Sequence, residues 1–165
     1  MWDECELNDL VDGAKWLKSQ SFIDGNNIGI WGASGGGSYT LLGLTGSCEF
    51  KAGVSIAPVT DWRYYDSIWA ETGMKMPLNN AQGYDKTSLI KKAKNLCGRL
   101  LIVHGSYDDN VHFENTLAFI DALIEEGKNF EIMVYPGRKH GISDKAARIH
   151  LHKTMLEFWK KHLRS

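Results

Sequence analysis

Glycine constrains this chain more than any other residue: seven of its 17 glycines fall within 18 positions, residues 29–46. Glycine in regular structure costs conformational entropy, so such a cluster marks backbone that must turn sharply or approach another element closely. Residues 27–32, Asn-Ile-Gly-Ile-Trp-Gly, form a short apolar run with turn signals on both sides, as expected of a strand covered on both faces. Gly32-Ala33-Ser34-Gly35-Gly36 follows at once, and a helix is predicted to begin directly after Ser34. A serine between small residues at a strand-to-helix turn is held in strained geometry at the tip of the strand. A glycine-rich turn with a capping serine has the same pentapeptide, so the rest of the chain has to decide.

Strands and helices alternate throughout. Leu7, Leu10, Val11, Ala14 and Leu17 predict a first helix with one buried face, running to about Ser19. Residues 52–57 predict a second strand, followed by a long irregular stretch over 58–85 and a helix over 88–95. A third strand is expected at 100–104. Phe113, Leu117, Ile120 and Ile124 predict an inward helical stripe that stops at Gly127. Residues 130–135 predict the fourth strand, and Ser143 is placed to cap a last helix with Ala147, Leu151, Met155 and Phe158 facing inward. The pattern defines an α/β fold with a parallel sheet wound on both faces, and no repeat or linker divides residues 1–165 into more than one domain.

Composition narrows the partners. Nineteen basic and 20 acidic side chains give a net charge of -1, with 43% hydrophobic residues, the make-up of a soluble globular domain. No basic cluster offers an electrostatic footprint for nucleic acid. Residues 25–48 are uncharged and long enough to span a bilayer, but eight glycines exclude a membrane helix. Met1-Trp2-Asp3-Glu4 has acids where a signal peptide has a basic region, so none is expected here. Cys5, Cys48 and Cys97 are an odd number at wide spacings and are expected to be buried free thiols; no metal or cofactor is implied.

A serine hydroxyl becomes a nucleophile when a base takes its proton and a third group holds that base. In α/β-hydrolases the chain order is Ser, then an acid after a later strand, then His after the last. Asp108 and Asp109 follow the third predicted strand, and His140 follows the fourth. Spacing does not choose between the aspartates. The three placements meet at the C-terminal ends of parallel strands, where such sheets hold their sites.

The segments Ile30-Trp31-Gly32-Ala33-Ser34-Gly35-Gly36, Ala57-Pro58-Val59-Thr60-Asp61-Trp62-Arg63-Tyr64-Tyr65-Asp66-Ser67, His104-Gly105-Ser106-Tyr107-Asp108-Asp109-Asn110-Val111-His112 and His140-Gly141-Ile142 resemble the C-terminal catalytic region of the prolyl oligopeptidase serine peptidases, dipeptidyl peptidase IV branch. The resemblance runs over nearly the whole chain. It implies the C-terminal half of an α/β-hydrolase fold, with about four parallel strands and flanking helices, lacking the N-terminal strands and propeller domain of that family. It implies Ser34 as nucleophile, Asp108 as orienting acid, His140 as base and the Gly35 amide as oxyanion donor. Val59, Trp62, Tyr65, Trp69 and Val111 would line the pocket for the proline or alanine preceding the cleaved bond, and Asn110 would bind the peptide backbone.

Two departures bear on activity. The family's elbow reads Trp-Ser-Tyr where this chain has Ala33-Ser34-Gly35, which opens the site beside the nucleophile. The resemblance also puts a second oxyanion donor, a tyrosine hydroxyl, in the region that has no counterpart here. The expected function is therefore a serine peptidase acting on peptides through an acyl-enzyme. A small esterase or acyl hydrolase with the same triad, and a non-catalytic hydrolase fragment serving as an association module, are the alternatives. The strand over 27–32 is expected to lack a neighbour on one side, which predicts a marginal chain, a homodimer, an edge refolded onto the N-terminal segment, or a longer parent chain.

Overall fold

The alternation of apolar runs and helical stripes resolves, in a computed structural model describing residues 4–163, into a four-stranded parallel sheet between helices. In chain order the elements are α1 (Glu4–Lys18), β1 (Gly29–Ala33), α2 (Gly35–Gly46), β2 (Ala52–Ile56), α3 (Ser67–Met74), α4 (Ala81–Thr87), β3 (Arg99–Gly105), α5 (Glu114–Glu125), β4 (Glu131–Tyr135) and α6 (Lys145–Leu163). The sheet order is β1-β2-β3-β4, with Ala33 opposite Ile56, Ile56 opposite Val103 and Gly105 opposite Tyr135. All four strands therefore end on the same rim.

Side-chain alternation along β3 divides the interior in two. Leu100 and Ile102 enter a core with Leu41, Leu42 and Leu44 of α2 and Phe119 and Leu123 of α5, over which α1 lays Leu7, Leu10, Ala14 and Leu17. Leu101 and Val103 point the other way, onto Ala147, Leu151, Met155 and Phe158 of α6. No helix among the described residues is long and apolar enough to cross a membrane.

Several expectations need correction. β1 lies at the edge of the sheet, as expected, but it is not covered on both faces: Trp31 is 61% exposed. The N-terminal segment does not fold back onto that edge; it forms α1, which packs on α2. The stretch over 58–85 is not irregular: it holds a 3₁₀ turn at Trp62–Tyr64, then α3 and α4, with Asp61, Asp66 and Asn80 accepting from the amides of Arg63, Trp69 and Gly83. The segment after it is a 3₁₀ helix at Ile90–Asn95. Asp144, not Ser143, caps α6, accepting from the Ala147 amide at 3.0 Å.

The cysteines were read wrongly as well. Cys48 and Cys97 form a disulfide across 49 residues of sequence, and the free Cys5 is exposed. The end of α2 and the turn before β3 bring the two Cα atoms to 5.4 Å, within bridging distance, and spacing along a chain does not reveal such an approach.

The largest difference concerns α5, whose predicted stripe is rotated. Asn115, Thr116, Phe119 and Leu123 face inward, whereas Leu117 and Ile124 are 43% and 63% exposed. Two polar residues win the inward positions because the buried groups they meet, the Thr60 amide and the His104 ring, need partners. The rotation is checked by a pair of alanine variants. Leu123→Ala should cost about 2–5 kcal/mol in urea unfolding, whereas Ile124→Ala, one residue on, should stay within about 0.5 kcal/mol of the parent.

Candidate active site

Ser34 occupies the turn between β1 and α2 with φ 57° and ψ −122°, a left-handed φ that costs a non-glycine residue roughly 1–3 kcal/mol. The turn is held from outside: the Ser34 amide donates to the Ile56 carbonyl at 2.8 Å, tying the elbow to the end of β2. It is also held by closeness, since a Cβ on Gly32 would lie 2.4 Å from the Gly36 backbone. Ser34 makes no side-chain cap to α2, so its hydroxyl is not used in holding the helix. Gly35 is the first residue of α2, and an amide at that position has no acceptor within its own helix. Together with the helix dipole, it presents partial positive charge beside Ser34.

Asp108 lies in the turn after β3 with its carboxylate fully buried. Oδ1 accepts from the amides of Asn110 and Val111, both at 3.0 Å. Oδ2 faces His140 Nδ1 at 2.7 Å and His104 Nε2 at 3.2 Å. Asp109 points outward and pairs with Lys139 at 2.5 Å, which holds its carboxyl below the usual range; Asp108 is thus the aspartate that reaches the histidine. The His140 loop is seated on the end of β3. The Tyr107 amide donates to the Arg138 carbonyl at 3.0 Å, a Cβ on Gly105 would fall 2.3 Å from the same oxygen, and Ile142 is buried in the α6 core.

The linkage ends at the imidazole. No hydrogen bond among the described residues joins His140 to Ser34 Oγ, as is common before substrate tightens the geometry. An Nδ1–H held by a carboxylate leaves Nε2 bare, which is the tautomer a general base needs.

The aromatic candidates cluster. Trp62, 2% exposed, stacks on Trp69 with ring centroids 4.7 Å apart, and Tyr65 meets both edge-on at 5.9 and 5.6 Å. Val59 and Val111 are buried in the same core as Trp62, while Trp69 is 49% exposed. The Tyr65 hydroxyl donates to Asn110 Oδ1 at 3.0 Å; burial, with Asp66 and Asp108 nearby, pushes the phenol up, so it remains a donor. These two residues border an open groove of about 520 Å³ shared with Asp66, Asp109 and His112.

Three buried polar residues escaped the sequence reading. Asn115 accepts from the Thr60 amide and donates to the Tyr64 and His112 carbonyls, pinning the aromatic segment to α5. Thr116 meets His104 Nδ1 at 2.7 Å. His104 ends the apolar run of β3 four residues before Asp108, and that spacing was the available signal. Burial holds the His104 imidazole below the usual histidine range against the opposing pull of the Val111 carbonyl and Asp108, so its contact with Asp108 is a neutral hydrogen bond rather than an ion pair.

Set in this geometry, a strained serine after the first strand, a buried aspartate after the third and a histidine after the fourth define an α/β-hydrolase. The profile of the prolyl oligopeptidase family matches residues 1–165, and the chain belongs to that family. It is 46% identical over 143 residues to a Pyrenophora teres f. teres protein named "Probable dipeptidyl-aminopeptidase B", a match covering 83% of this chain and 16% of the relative. A Coccidioides posadasii protein of the same name is 43% identical over 141 residues, covering 83% and 15%. Among solved structures, dipeptidyl peptidase 4 of Porphyromonas gingivalis superposes with a TM-score of 0.93 at 41% identity, covering 96% of this chain and 23% of that one. An acylaminoacyl peptidase in complex with Z-Gly-Gly-Phe-chloromethyl ketone gives 0.86 at 29%, covering 96% and 28%. The chain thus spans about a sixth of the length of the curated relatives it matches.

The lowered His104 has a consequence for stability. The unfolded chain takes up a proton near pH 6.5 that the folded chain refuses, so His104 contributes stability above that range which is lost as the pH falls through it. Urea unfolding at about pH 8 and about pH 5 should show a smaller loss in His104→Gln than in the parent.

Proposed function

We propose that this chain is the catalytic segment of a serine peptidase of the dipeptidyl peptidase type, acylated at Ser34. The observation that carries the reading is the 2.7 Å contact between buried Asp108 and His140 Nδ1, on the same rim of the sheet as a serine held at positive φ. His140 Nε2 takes the Ser34 proton as Oγ attacks the carbonyl carbon of the substrate. The Gly35 amide and the start of α2 meet the negative charge that develops on the carbonyl oxygen. His140 then returns the proton to the leaving amine, and the acyl group remains on Ser34 until water, deprotonated by the same imidazole, releases it. Asp108 keeps its hydrogen bond to Nδ1 throughout and stabilises the imidazolium.

The substrate is a peptide with proline or alanine before the cleaved bond. The exposed face of Trp69, with Trp62 stacked behind it and Tyr65 edge-on at its side, suits a rigid pyrrolidine ring, and Val59 and Val111 belong to the buried core that supports Trp62. Asn110, oriented by the Tyr65 hydroxyl, takes the backbone of the residue before it.

A fluorophosphonate probe should label the folded chain at Ser34, and Ser34→Ala should remove the label; a folded chain that takes no label would leave only the non-catalytic module. His140→Ala should slow labelling by about 10⁴-fold or more, since the serine then lacks its base.

A second reading rests on the open space beside the nucleophile, where a Cβ on Gly35 would touch nothing within 4 Å and Ala33 is exposed. Such a site accepts activated esters of many shapes. Hydrolysis of a Gly-Pro chromogenic amide at a rate well above background supports the peptidase, whereas turnover of p-nitrophenyl acetate alone supports the esterase.

A further inference from the structure

His104 takes no part in the steps above, yet it is among the most completely buried side chains of the molecule. It ends β3 on the face that carries Leu100 and Ile102 into the core beside α5, where alternation calls for a third apolar residue. Both ring nitrogens are engaged. Nδ1 lies 2.7 Å from Thr116 Oγ1, while Nε2 lies 2.9 Å from the Val111 carbonyl and 3.2 Å from Asp108 Oδ2. The partners fix the tautomer: a carbonyl and a carboxylate only accept, so Nε2 carries the proton, and Nδ1 accepts from the threonine hydroxyl.

A neutral histidine in such a place contributes less to packing than an apolar residue of its size and adds polar atoms that all need partners. Its geometry nevertheless has a use at the carboxylate. The amides of Asn110 and Val111 fix Oδ1, which leaves Oδ2 to swing about that anchor. His104 meets Oδ2 from the core side as His140 meets it from the site side.

We propose that His104 is a positioning residue for the reaction: by donating from Nε2 to Asp108 Oδ2, with its own ring locked by Thr116, it holds that oxygen toward His140 Nδ1. The inference rests on the reading of Ser34, Asp108 and His140 as a working triad. The hydrogen bonds run from Thr116 on α5, through His104 on β3, to Asp108 and on to His140, so the tautomer of the base is set from inside the core.

The test uses the whole chain in three forms: the parent, His104→Leu, which keeps bulk and removes both nitrogens, and His104→Gln, whose side-chain amide can still donate from about the Nε2 position. Folding of each is checked by near- and far-UV circular dichroism. Two readouts are taken, the rate constant for fluorophosphonate labelling of Ser34 and the ¹⁵N shifts of His140, which report the proton on each ring nitrogen.

His104→Leu should label about 10- to 100-fold more slowly with unchanged half-saturation by the probe, and His104→Gln should recover to within about threefold of the parent. The His140 spectrum should show protonated Nδ1 and bare Nε2 in the parent, a mixture of tautomers in His104→Leu, and the parental pattern in His104→Gln. A folded His104→Leu with the parental labelling rate and an unmixed His140 spectrum would overturn the proposal and leave His104 as a satisfied core histidine. A parent that takes no label would remove the peptidase reading instead. The ¹⁵N comparison would then decide His104 alone, a shift in tautomer supporting its role and no shift overturning it. Should His104→Leu fail to fold, Thr116→Val removes only the hydroxyl that locks the ring, and the same two outcomes apply to it.

Discussion

A buried carboxylate governs this structure. Removing an ionised aspartate from water costs several kcal/mol or more unless donors replace the lost hydration. Asp108 meets four: two consecutive amides of its own turn, a core histidine and a loop histidine. Satisfying that group dictates the conformation of residues 108–111, the burial of His104 and the seating of the His140 loop on the end of β3. It extends to α5, because Thr116 must face inward to serve His104, and its neighbour Asn115 then reaches the backbone of the aromatic segment. One helix start thereby positions both the acid and the wall of the pocket.

Ser34 is held by different physics. Its strain is opposed by a backbone hydrogen bond to β2 and by glycine at Gly32, where any side chain would strike Gly36. Electrostatics orders Asp108 and His140, while steric exclusion orders Ser34. Among the described residues no hydrogen bond joins the two halves, Ser34 on one side and Asp108 with His140 on the other.

How much could be read beforehand follows from this division. The four strands and the first and last helices were legible because their apolar periodicity answers to burial alone, as with Ala147, Leu151, Met155 and Phe158. Ser34, Asp108 and His140 were visible by their position after strands, and the choice of Asp108 over Asp109 came from resemblance, with geometry supplying the physical ground. The face of α5 was misread because Asn115 and Thr116 look like surface residues until the groups they serve are known. His104 was passed over for the same reason, lying inside an apolar run. The Cys48–Cys97 bridge was hidden because 49 residues of sequence say nothing about a 5.4 Å approach. Periodicity thus reports what is apolar and buried, and it is silent on what is polar and buried.

Among the described residues β1, which leads to Ser34, is paired only with β2, whereas β3, which leads to Asp108, is flanked on both sides. Ser34 and Asp108 therefore stand on supports of unequal stiffness. Thermal displacement of the serine is limited by one ladder of hydrogen bonds and one helix packed behind it, that of the aspartate by two ladders and a saturated carboxylate. A strand added along the free edge of β1 would stiffen the support of Ser34 without touching any side chain of the Asp108 and His140 cluster.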